Sequence, residues 1–179
     1  PATFSDFLML EDGEGPFSDA IVDTLWAMVT LISNKVGERT PVNTGALAGA
    51  IAQSAAVTYG NMEWVGTVGD GGLAYGLPVE LGRAPGKPPP RANIEAWLKR
   101  KQIAWAFRKG SKKGQPMSLE EMARTLCWSI AKHGTKGAHM FELGLKDAQP
   151  HLDKLFEDLM NEFQRLWGAG SPQAGAGGI

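Results

Sequence analysis

The stretch IAQSAAVTYGNMEWVGTVGDGGLAYGLPVEL, residues 51–81, decides the fold class. It breaks into three strand-like runs. Ile51 to Tyr59 places Val57 and Tyr59 on one face, and Glu63 to Val68 is rich in Trp, Val and Thr. Leu73 to Leu81 alternates strictly, with Leu73, Tyr75, Leu77, Val79 and Leu81 sharing a face. Gly60-Asn61 joins the first two runs, and the Gly69 to Gly72 turn joins the second pair. Together they predict an antiparallel β meander with one buried face. Pro78 makes the third run an edge strand or breaks it.

The flanks are helical. Upstream, Phe17, Ile21, Leu25, Met28, Ile32 and Val36 recur every three or four residues, one face of a helix ending near Gly37. Val22, Trp26 and Val29 widen that stripe beyond what one packing partner covers, so they are the candidate interface residues. Downstream, Ile94, Trp97 and Leu98 mark a helix from about Arg91 to Phe107. Ser118 to Glu121 is a capping box opening a second helix with Leu119, Met122, Leu126 and Ile130 inward. A last helix is predicted from about Ala148 to Trp167, with Leu152, Leu155, Phe156, Leu159, Phe163 and Leu166 inward. The expected architecture is α+β. A small meander packs on a long N-terminal helix and C-terminal helices, with flexible loops and termini. Residues 1–16 are expected as an irregular arm and 17–167 as a single domain with a helical insertion at about 91–133. Residues 168–179 are expected as a disordered tail.

Charge excludes little as a total and more as a distribution. The chain has 179 residues and a formal net charge of −1. From Pro1 to Asn34 there are six acids and no base, whereas Arg83 to Lys113 holds ten bases and one acid, Glu95. Such asymmetry predicts two surfaces with different partners. Cys127 is the only cysteine, which rules out an intrachain disulfide and suits a reducing compartment. The first ten residues lack the basic start of a secretory signal, and no apolar run approaches the roughly 18 residues of a membrane span. A cytoplasmic product not held in a membrane is expected.

No catalytic constellation emerges. Gly82 to Pro88 falls one residue short of a phosphate-binding loop, and Pro88 stands where a hydroxyl is needed. His133, His139, Glu142 and His151 share one region but match no metal-ligand spacing. Cys127 lies on a helical core face, and the carboxylate pairs Glu120-Glu121 and Glu157-Asp158 read as solvated helix surface. No enzyme activity, cofactor or metal is expected, a hydrolase centred on His133, His139 and His151 being the weakest reading. Lys99, Arg100, Lys101, Arg108, Lys109, Lys112 and Lys113 crowd one segment with Trp97, Trp105 and Phe107 interleaved. That is the footprint of phosphate-backbone attraction with stacking. A small DNA-binding accessory protein using 99–113 is therefore the alternative function.

The stretch Arg39-Thr-Pro-Val-Asn-Thr-Gly-Ala-Leu47 carries a resemblance, together with Tyr75, Val79, Glu80 and Gly82, the proline-rich loop and the final helix. This order resembles the head–tail joining and tail-completion proteins of long-tailed bacteriophages, the minor tail protein Z type, over roughly Phe17 to Trp167. The two helical segments between Arg91 and His133 are extra relative to compact members. Gly134 to Gly137 with His139-Met140-Phe141 stands as the displaced equivalent of the segment that precedes their last helix. The resemblance implies a virion structural protein of the neck, without cofactor, forming a homo-oligomeric ring around the DNA channel. Its partners would be tail tube, tail terminator or head connector proteins. Non-specific proximity to DNA follows, with Lys109, Lys112 and Lys113 facing the lumen or a partner.

Overall fold

The computed structural model describes residues 15–60, 63–103 and 116–170. Its elements, in order, are α1 (Pro16–Arg39), α2 (Ala46–Ser54), β1 (Ala56–Gly60), β2 (Glu63–Thr67), α3 (Gly76–Leu81), β3 (Gly82–Arg83), α4 (Arg91–Arg100), α5 (Leu119–His133), β4 (Thr135–Lys136) and α6 (Met140–Gly170). The class is α+β: among the described residues, six helices accompany two antiparallel strand pairs, β1 with β2 and β3 with β4. The chain divides into two compact units. One comprises Pro1–Leu73 with Met140–Ile179, the other Ala74–His139, and the insertion expected at about 91–133 falls inside the second.

The first unit is built on α1. Proline in the first turn costs that helix no hydrogen bond, and Pro16 occupies that position. α1 packs along α6. Phe17 meets Phe163 with ring centroids 5.2 Å apart at one end, and Arg39 pairs with Asp147 at 2.6 Å at the other. Near the Arg39 end Gly144 lies directly over Val36: a Cβ added there would stand 2.7 Å from the Val36 Cα. The β1–β2 hairpin covers another side of α1. A Cβ at Gly66 would lie 2.7 Å from Cγ1 of Val29, so the strand approaches closely only because it has no side chain there. Tyr59 and Trp64, cross-strand partners, stack with centroids 4.6 Å apart. The Ser54 hydroxyl accepts from the Gly69 N–H at 2.8 Å, tying the exit of the hairpin to the end of α2.

Two of the three expected strands need correction. Residues 51–54 belong to α2, because Leu47 and Ile51, one helical turn apart, are both buried in an alanine-rich run begun by left-handed Gly45. The third run forms no strand. Gly71 and Gly72 turn the chain with positive φ, and 76–81 coils into α3. Period-two alternation also places Leu77 and Leu81 four residues apart, and Pro78 falls in the first helical turn, where no backbone donor is required. The meander is thus a two-stranded hairpin.

In the second unit, α4 packs on α5 through Leu98, Met122 and Ala123, flanked by Ile94, Trp97 and Leu126. Arg91 reaches Glu95 at 3.3 Å and Glu120 at 3.1 Å, joining the two helices at the surface. The expected capping box is present: Glu121 N–H donates to the Ser118 hydroxyl at 3.2 Å, and Ser118 N–H to the Glu121 carboxylate at 3.0 Å. α4 ends at Arg100, and its expected continuation to Phe107 falls largely outside the described residues. Within the stretch Gly134 to Gly137, Thr135 and Lys136 form β4.

α6 starts eight residues before the expected Ala148 and runs through Pro150, which leaves the Lys146 carbonyl without its helical donor. It also continues to Gly170, so the first three residues of the expected C-terminal tail are helical. Phe156 faces outward at 57 % exposure rather than inward. Val29, read as an interface residue, is core at 3 % exposure, since the hairpin covers it.

Candidate interaction surface

The two segments that carry the phage resemblance are held by backbone constraints. In the first, buried Thr40 closes α1: its hydroxyl donates to the Val36 carbonyl at 2.7 Å and stands 3.4 Å from the Met140 sulfur. Gly45, at φ 80°, turns the chain into α2, and Leu47 plugs the core. Between these anchors residues 41–44 are exposed, and Val42 shows 62 % of its surface. An exposed apolar side chain on a loop pinned at both ends has its contact surface pre-organised.

In the second segment, α3 and β3 are laced to the residues around β4. The carbonyls of Val79 and Glu80 accept from Ala138 N–H at 2.8 Å and His139 N–H at 3.1 Å. Gly82, at φ 81°, passes so close to the Thr135 carbonyl that no Cβ fits. The backbone of this crossing is therefore fixed, yet Tyr75, Leu77 and Leu81 are exposed by 45, 64 and 64 %. On α1, Trp26 is 44 % exposed and Val22 half-buried, so these two of the three candidate interface residues remain at the surface.

On the outer side of α5, Arg124 and Lys132 are exposed, and Trp128 between them shows 61 % of its surface. The Lys132 ammonium lies over the Trp128 ring, 4.9 Å from its centroid, and His133 meets the ring edge-on. In the first unit, α1 and α6 leave an open groove of about 470 Å³ between them. Leu155, Leu159 and Ala20 line it, with Asp19, Asp23, Asp158 and Glu162 among its acidic members. Arg165 binds Glu162 at 2.5 Å, and this hydrogen bond holds the Glu162 carboxyl below its ordinary pKa.

The remaining candidates are scattered. His133 sits 3.2 Å from the Ser129 carbonyl, His139 precedes α6 at positive φ, and His151 is exposed on α6. Among the described residues no group of three or more His, Cys, Asp or Glu stands where it could hold a metal ion. Cys127 is buried, its thiol 3.5 Å from the Pro89 carbonyl. No helix among the described residues is long and apolar enough to cross a membrane. Lys109, Lys112 and Lys113 lie outside the described residues. The exposed Trp128 escapes a reading of the sequence, although Arg124, Trp128 and Lys132 at i, i+4 and i+8 are its signal. Comparison with protein-family models, curated proteins and solved structures found no match.

Proposed function

We propose that this chain is a structural, non-catalytic virion protein of a tailed phage that completes the tail or joins it to the head. It assembles as a homo-oligomeric ring around the DNA channel, against tail or head-connector proteins, after synthesis in the host cytoplasm. The observation that carries the reading is where its apolar surface lies. Val42 and Tyr75 are motif residues of the resemblance, Leu77 and Leu81 lie within its second segment, and all four are exposed beside backbone that is held by hydrogen bonds. Rigidly presented apolar side chains are what a permanent protein contact uses, and a heterologous contact repeated around an axis closes a ring.

Negative-stain electron microscopy of the concentrated, purified chain tests this. Closed rings with a central opening wide enough for a duplex are expected, and Leu77→Glu with Val42→Glu should abolish them while circular dichroism stays unchanged. Open filaments, or an unaffected variant, would refute the ring.

A further inference from the structure

Charge in this chain is partitioned along the boundary between its two units. Residues 74–139 contain thirteen Lys and Arg against four Glu, a balance of +9. The remainder carries five bases and fifteen acids, a balance of −10, although the whole chain is nearly neutral at −1. Each unit also presents a shaped surface of its own sign. The first has the α1–α6 groove, with an apolar lining and four carboxylates against one cation, Arg165, which pairs with Glu162. Among the described residues, no base pairs with Asp19, Asp23 or Asp158. The second has the α5 ridge of Arg124, Trp128 and Lys132, with an exposed indole between two cations.

We infer that the acidic α1–α6 groove of one copy seats the Arg124–Trp128–Lys132 ridge of a second copy. The inference rests on the assembly reading above only in taking a second copy as the occupant. Three features favour it. The first is length: Arg124 and Lys132 stand eight residues apart, a rise of about 12 Å, and the α1 wall of the groove spans the same eight residues, from Pro16 to Thr24. The second is chemical: the groove offers Leu155 and Leu159 to the indole and carboxylates to the flanking cations, so neither end of the ridge is desolvated without a partner. The third is the balance itself. Two units of opposite sign and nearly equal charge on one chain attract each other between copies. A polyphosphate would be served by the ridge and repelled by the −10 unit. Because ridge and groove are different surfaces, the contact is heterologous and can propagate.

The test is sedimentation velocity on the full chain and two charge-reversal variants, Arg124→Glu with Lys132→Glu, and Asp23→Lys with Asp158→Lys. Wild type is expected to associate about tenfold more weakly at roughly 500 mM salt than at 50 mM, because screening shortens from over 10 Å to a few ångströms. Each variant alone should be monomeric with unchanged helix content. Mixed in equal amounts they should form dimers and stop there, since each supplies the one surface the other lacks. Wild-type assembly that survives in both variants overturns the inference and leaves the ring reading standing. Capped dimers from a chain that never closes rings support the inference and end that reading. A wild type that stays monomeric, or a mixture that stays monomeric, overturns it. It is overturned equally if the wild-type monomer binds duplex DNA and the Arg124/Lys132 variant does not, which would make the ridge a nucleic-acid surface.

Discussion

Replacing Gly144 by alanine should destabilise the protein even though alanine is the better helix former. A Cβ at Gly144 would stand 2.7 Å from the Val36 Cα and 2.8 Å from both its N and Cγ2. Carbon atoms in contact prefer about 3.5–4.0 Å, so α1 and α6 must part by roughly 1 Å at this crossing. Two of the three obstructing atoms are backbone, which no rotamer change relieves. Overpacking of this kind costs about 1–3 kcal/mol. The gain in helix propensity offsets about 1 kcal/mol of it. The net loss is therefore up to about 2 kcal/mol, or a melting temperature lower by up to ~8 °C for a chain of this size. Gly37 supplies the control. It lies in α1, and a Cβ added to it would meet nothing within 4 Å, so Gly37→Ala should raise the melting temperature by ~1–4 °C. Thermal denaturation followed by circular dichroism in the helical band measures both. Equal shifts of the same sign would refute the close crossing of α1 and α6.

Trp26→Glu should leave a folded chain that assembles poorly, whereas Val29→Glu should unfold the first unit, because it places a charge under the hairpin. Circular dichroism with size-exclusion chromatography separates the outcomes, and a Trp26→Glu chain that unfolds would show the indole to be core. Ser118→Ala removes the side-chain half of the capping box and should cost about 1 kcal/mol, read as earlier hydrogen exchange of the first turn of α5. Protection equal to wild type would show that the cap contributes nothing.

The helical parts of the fold are legible in the sequence because their signals are local. The Ser118–Glu121 box and the three-to-four-residue recurrence from Phe17 to Val36 need no distant partner to be read. The Leu73–Leu81 run misleads because its alternation also contains the i, i+4 pair Leu77 and Leu81, and the two glycines before it decide the path of the chain. Val29 and Trp26 look alike on a helical wheel. Only the glycine at position 66, on a strand nearly forty residues away, determines which of them is covered. The start of α6 is hidden because Pro150 suggests a boundary that a helix already under way tolerates. The α1–α6 groove is illegible for the same reason as the Arg39–Asp147 pair: its walls are more than a hundred residues apart in sequence.

That separation has a consequence for synthesis. The first unit is discontinuous, and α1 gains its long partner only when α6 has been made. Residues 74–139 form a continuous unit with its own small core and leave the ribosome before α6 does. During that interval Phe17 and Val36 have no α6 to cover them, and α1 is a sticky amphipathic segment on a nascent chain. At translation rates of about 5–20 residues per second the exposure lasts some seconds, long enough for a chaperone, or the α6 of a finished neighbour, to occupy the site first. Circular permutation that places α6 directly before α1 would remove the delay and should raise the soluble yield.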